Sequence, residues 1–68
     1  MTESEKQKLD TISSLLSEAG YEPYDQLSGY VLTGEITYIT RNGNARKLIE
    51  TIDKETISEY LKTKRVPG

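Results

Sequence analysis

Arg41, Arg46, Lys47, Lys54, Lys62, Lys64 and Arg65 are cations of a type that suits contact with an acidic molecule. They lie in the half that carries the positive charge. Residues 41–68 hold seven bases and four acids, whereas residues 1–40 hold two bases and seven acids. That imbalance offers a basic face to an acidic partner, a phosphate or a nucleic acid, against the ordinary reading of solvated surface charge. The overall charge of −2 and a pI near 5.0 lack the broad positive footprint of a DNA-binding domain. Nucleic acid is therefore not the expected partner. Catalysis has little to draw on. The chain has no histidine and no cysteine, which removes the commonest general base, the thiol nucleophile and the usual zinc ligands. The remaining carboxylates, lysines and tyrosines show no nucleophile–base arrangement, and no calcium-loop pattern occurs. The expected protein is not an enzyme and takes no metal or cofactor.

Two further sets of residues have a chemical and a plain reading. Tyr21, Tyr30, Tyr38 and Tyr60 stand beside the basic half as a base-stacking set, or serve as core and interface, where a tyrosine supplies apolar area and a polar tip. The second reading is preferred. Thr2, the only threonine ahead of the first expected helix, is the candidate phosphoacceptor. A phosphate there suits a helix N-terminus, and the alternative is an unmodified residue.

These side chains need a scaffold, and 68 residues supply one domain. A domain of this size buries only roughly 60% of the surface of its unfolded chain. Without cysteine, self-association as a homodimer is the expected source of further stability. No apolar run approaches the roughly 18 residues of a membrane span, and the opening MTESEKQKLD has no secretory pattern. A cytoplasmic, non-membrane protein is expected.

Leu9, Ile12, Leu15, Leu16 and Ala19 recur at helical spacing, with Glu3 and Glu5 ahead of them and Gly20 behind. Pro23 suits the first turn of a second helix over about residues 24–32, with Leu27, Tyr30 and Val31 on its apolar face and Gly34 as its end. Gly29 inside it costs up to about 1 kcal/mol relative to alanine, and is expected to admit another backbone closely. Ala45, Leu48, Ile49 and Ile52 form a third helical face from Asn44. Asp53 caps a last helix with Ile57, Tyr60 and Leu61 inward and Lys62, Lys64 and Arg65 at its end.

The stretch GYVLTGEITYIT (residues 29–40) is the ambiguous part. Its β-branched and aromatic composition, followed by Asn42-Gly43, reads as a hairpin over residues 30–39 and an α+β fold. A lone hairpin is marginal, however, and no third strand follows. That weakens the hairpin and leaves an all-α, compact bundle of four to five short helices as the competing reading. In it, residues 29–32 end a helix, 33–35 turn, and 36–39 form a short plug that buries Ile36, Tyr38 and Ile39 and places Arg41 at the head of the next helix. Arg46 and Lys54, eight residues apart, would fall near two helical turns from each other if the helices on either side of Asp53 were continuous. Gln26 is placed to bond a backbone carbonyl, within the turn or across a dimer.

The residues Gly20, Tyr21, Pro23, Gln26, Leu27, Gly29, Tyr30, Val31, Leu32, Thr33, Gly34, Glu35, Tyr38, Ile39, Arg41, Ala45, Arg46 and Ile49 carry a resemblance. In register over about thirty positions, they make this chain similar to the IreB-like (ReoM) regulatory phosphoproteins. The resemblance turns the choice to the all-α bundle, and implies a small cytosolic homodimer downstream of a membrane Ser/Thr kinase with extracellular PASTA domains. It implies control of cell-wall precursor synthesis, a link to antibiotic resistance, and, for some members, Clp-protease turnover of the enzyme MurA. It implies relief of that activity by threonine phosphorylation in an N-terminal tail of about twenty residues. Neither Thr2 nor Ser4 sits in that tail's motif. Basic residues of the segment 41–54 matter for the family's activity, which favours Arg41, Arg46, Lys47 and Lys54 as partner contacts. Thr40 and Ile36 stand where the family has proline, and Glu50 and Thr51 where it has arginine. The competing function is a helix-turn-helix DNA-binding protein with ETISEYLKTKRVP as recognition helix.

Overall fold

The computed structural model describes residues 2–64. Helix α1 (Glu3–Glu18) leads to α2 (Pro23–Thr33), a 3-10 turn (Ile36–Tyr38), α3 (Ala45–Glu50) and α4 (Lys54–Lys64). No strand occurs among the described residues. Arg65 and the Pro67-Gly68 end expected beyond the last turn lie outside them.

Helix α1 starts on a reciprocal cap. The Glu5 N–H donates to Thr2 Oγ1 at 3.1 Å, and the Thr2 N–H donates to Glu5 Oε1 at 2.9 Å. A cap of this kind contributes about 1 kcal/mol, because it satisfies amides that the first turn leaves unpaired. The Thr2 N–H holds the Glu5 carboxyl below its ordinary range. Its contribution is therefore present above the unfolded-state pKa and is lost as the pH falls through the lowered folded-state value. Leu9, Ile12 and Leu16, three and four residues apart, are fully buried. The helix stops at Gly20, whose φ of +90° lets the Tyr21 N–H return to the Leu16 carbonyl and the Gly20 N–H to that of Ser17, both at 3.0 Å.

Pro23 opens α2, and the Glu22 side chain accepts from the Tyr24 N–H at 3.3 Å. Gly34, at φ +76°, closes it with an N–H to the Tyr30 carbonyl at 2.7 Å. The strand-like run after Ser28 is helical because its context rewards a helix. Leu27 is buried, and Tyr24, Tyr30 and Val31 pack on the same core. As the central residues of a hairpin they would find no sheet to join. Val31 lies in α2 and Thr37 in the 3-10 turn. Residues 36–39 form the expected plug, with Ile39 fully buried and Ile36 and Tyr38 half-buried.

Three expectations need correction. What approaches Gly29 is the Tyr38 ring, not a backbone: a Cβ at Gly29 would stand 2.5 Å from Tyr38 Cε1. Arg41 does not head α3; that helix starts at Ala45, and Asn42 to Asn44 form a turn in which Gly43 takes φ +58°. Arg46 and Lys54 do not share a helix. Helix α3 ends at Glu50, and residues 51–53 break the chain before α4, so Ile52 is buried as a loop residue.

Ala45 and Ile49 of α3 complete the core with Ile57, Tyr60 and Leu61 of α4. Helix α1 packs on α2, α3 and α4, and α2 also packs on α4 and the 3-10 turn. The radius of gyration is 10.8 Å, as expected for a folded chain of this length. A part-buried polar contact links α1 and α4: the Tyr60 hydroxyl donates to Asp10 Oδ1 at 2.6 Å and lies 3.3 Å from Ser13 Oγ. Burial, with the Asp10 carboxylate as acceptor, pushes the Tyr60 phenol up to about 12. The folded state thus keeps a proton that the unfolded chain releases near pH 10. Stability carried by this group is full below pH 10 and is lost as pH rises from 10 towards 12. Chemical denaturation across that range is expected to show the decline, and Tyr60→Phe to flatten it. An equally steep decline in Tyr60→Phe would assign the effect elsewhere.

Candidate partner-contact site

Beyond the 3-10 turn the chain leaves the helical pattern. Ile39 is extended, with φ −104° and ψ 128°. The carbonyls of Tyr38 and Ile39 therefore need donors from outside a helix. Side chains provide them: Gln26 Nε2 donates to the Tyr38 carbonyl at 2.9 Å, and Arg46 Nε donates to the Ile39 carbonyl at 2.9 Å. The Ile39 side chain, fully buried, anchors the same residue into the core. Downstream, the Asn42 N–H donates to Thr40 Oγ1 at 3.1 Å, and the Ala45 N–H lies 3.4 Å from the Asn42 carbonyl. Leu15 lies beneath Gly43, its methyl carbons 3.1 and 3.2 Å from where a Cβ would be. Arg41 stands exposed between these fixed points.

Three of the four cations, Arg41, Lys47 and Lys54, are exposed, and Arg46 is not. Arg41, in this segment, and Lys47, in the last turn of α3, are exposed. Arg46 is half-buried and bonded to the chain itself. Lys54 places Nζ 5.8 Å from the Tyr30 ring centroid and beside Gly34, a cation–π contact worth about 0.5–1 kcal/mol at an exposed site. The tyrosines likewise separate. Tyr60 is buried, Tyr30 and Tyr38 are half-buried, and Tyr21 is 50% exposed. Pro23 and Gly34 sit at the two ends of α2.

The outward row of α4 carries Lys54, Glu55, Glu59 and Lys62. It holds two acids and two bases, which is not the uniform positive face that a duplex backbone attracts. A groove between α1, the start of α2 and α4 is lined by Asp10, Ser13, Pro23, Tyr24, Tyr60 and Leu61, among others. Among the described residues no cluster of acids could hold a metal ion, and no helix is long and apolar enough to cross a membrane.

Two features escaped the reading of the sequence. The Tyr60–Asp10 bond joins residues fifty apart, and no local pattern announces it. Leu32 is 83% exposed. Its signal was available, because five helical steps from Leu27 turn it roughly 140° from the buried face. Leu32 and the half-buried Tyr24 and Val31 border a shallow hollow against Leu61.

Fold and site together define a small all-helical scaffold that presents Arg41 on a braced segment. A family model described as IreB regulatory phosphoprotein matches residues 1–65, and the chain belongs to that family. It is 41% identical over 56 residues to a UPF0297 protein of Lachnoclostridium phytofermentans, covering 82% of this chain and 64% of that relative. It is 40% identical over 58 residues to a UPF0297 protein of Ruminiclostridium cellulolyticum, covering 84% and 66%. The matched stretch thus spans a little under two thirds of the length of these relatives.

Proposed function

We propose that this protein is a non-enzymatic cytoplasmic regulator of cell-wall precursor synthesis that works by protein–protein contact. It acts downstream of a PASTA-domain Ser/Thr kinase, by promoting Clp-protease turnover of MurA. Family membership supports the regulatory class. The observation that carries the contact site is the exposure of Arg41 on a segment whose backbone is held on both sides. Lys47 and Lys54 add further exposed cations, so the partner surface is acidic. In cells lacking the protein, Arg41→Ala is expected to fail to restore normal MurA levels, although the purified variant melts like the wild type. Surface substitutions of this kind usually shift stability by no more than about 0.5 kcal/mol. Normal MurA levels with Arg41→Ala would remove Arg41 from the contact site.

Thr2 is the candidate phosphoacceptor within this sequence. Its exposed hydroxyl already caps α1, so a phosphate there would stand beside the Glu5 carboxylate that accepts the Thr2 N–H. Self-association belongs to the same proposal, and the face around Leu32 supports it, since a leucine 83% in water gains from burial. Light scattering on a sizing column is expected to give a dimer, and Leu32→Glu to shift it to monomer. A dimer that survives Leu32→Glu would place the interface elsewhere.

A further inference from the structure

We propose that Arg46 is the positioning residue of the contact site, and that Arg41 alone of the two arginines meets the acidic partner. The inference rests on the contact reading given above and assigns its parts. The carbonyl of Ile39 comes after the last 3-10 hydrogen bond, the one from the Ile39 N–H to the Ile36 carbonyl at 2.9 Å. It points into a turn that no helix completes. Arg46 Nε reaches back seven residues to satisfy it, from the first turn of α3. One bond thereby couples the start of the 39–44 segment to the helix at its end.

Arg41 lies two residues beyond that carbonyl and four before α3. Its backbone is therefore closed into a short loop, with Arg46 as the bridge. Gln26 on the preceding carbonyl and Leu15 under Gly43 brace the same loop from α2 and α1. A cation on a braced segment loses less freedom on binding than one on a loose loop, which raises affinity for the partner's carboxylate without adding a contact. The residue type fits this role. A guanidinium carries an Nε–H in the plane of its fork, close to the stem, whereas a lysine has donors only at its tip. Charge alone at position 46 would not hold the carbonyl.

Three variants test this: Arg46→Lys, Arg46→Ala and Arg41→Ala. Amide hydrogen exchange is read at Asn42 and Ala45, whose N–H groups lie within the loop, and MurA level is read in cells lacking the protein. Arg46→Lys keeps the charge, and amides of α1 report that the fold is intact. The expected result is exchange at Asn42 and Ala45 faster by about fivefold in both Arg46 variants, the factor that a hydrogen bond of ordinary net strength carries. Regulation is lost equally in both. Arg41→Ala is expected to lose regulation with exchange as in the wild type. Arg46→Lys that regulates normally while Arg41→Ala does not would overturn the positioning role, as would unchanged exchange in both Arg46 variants. Arg41→Ala that regulates normally would overturn the contact reading itself, and this proposal with it.

Discussion

Ile39→Ala is expected to lower the folding free energy by about 2–5 kcal/mol, the cost of truncating a fully buried isoleucine. The total available is small: at about 0.05–0.15 kcal/mol per residue, a chain of this length holds only about 3–10 kcal/mol. The substitution therefore removes from a fifth of the stability to all of it. Ile39 has no exposed surface, and it sits among elements from both halves of the chain. Its neighbours are fixed by other contacts, since Gln26 holds the carbonyl before it and Arg46 holds its own. The site cannot collapse freely, which puts the cost towards the upper part of that range. Ile39→Val, which removes one methylene, is expected to cost about 0.5–1.5 kcal/mol. Urea denaturation of both variants measures this as a lower midpoint at constant slope. A loss below about 1 kcal/mol for Ile39→Ala would mean that the residue is not a core anchor.

Gly29→Ala is expected to destabilise the protein, although alanine is the better helix former. The gain in propensity is at most about 1 kcal/mol. Against it stands overpacking, at about 1–3 kcal/mol. The new Cβ would lie 2.5 Å from Tyr38 Cε1 and 2.7 Å from both Cδ1 and Cζ, where carbon atoms rest at about 3.5–4.0 Å. The ring cannot retreat cheaply, because Gln26 holds the Tyr38 carbonyl and Ile39 next to it is buried. A double-mutant cycle isolates the cause. In a Tyr38→Ala background the same Gly29→Ala change is expected to become neutral or stabilising, since only the propensity remains. Gly29→Ala that is neutral in the wild-type background would show that the ring moves aside without cost.

The helices were legible where apolar spacing and end signals agree. Leu9, Ile12 and Leu16 with Gly20 marked α1, and Pro23 with Gly34 bounded α2 to within a residue at each end. The third helix was less legible. Ile52 continues the apolar period of Ala45 and Ile49, yet it is buried from a loop, because a residue can fill the core without being helical. Periodicity therefore carried the expected helix past its true end at Glu50. In the site, the pattern singled out Arg41, Arg46, Lys47 and Lys54 as equals. Only their surroundings separate them, since an Nε–H aimed at a carbonyl seven residues back and an ammonium near a tyrosine ring leave no trace in local spacing.

Residues close in the chain thus declared the helices outside the 29–40 stretch, the caps, the stop glycines and the family pattern, because these depend on interactions spanning a few residues. Tertiary structure decided the rest. It chose helix over hairpin for the strand-like run around Tyr30, since burying Leu27 against the other helices outweighs a modest β-propensity and a lone hairpin has no sheet to join. It filled the space above Gly29 with the Tyr38 ring and left Arg41 outside while drawing Arg46 in. Each of these outcomes turns on which distant groups meet, and that is settled only when the whole core closes.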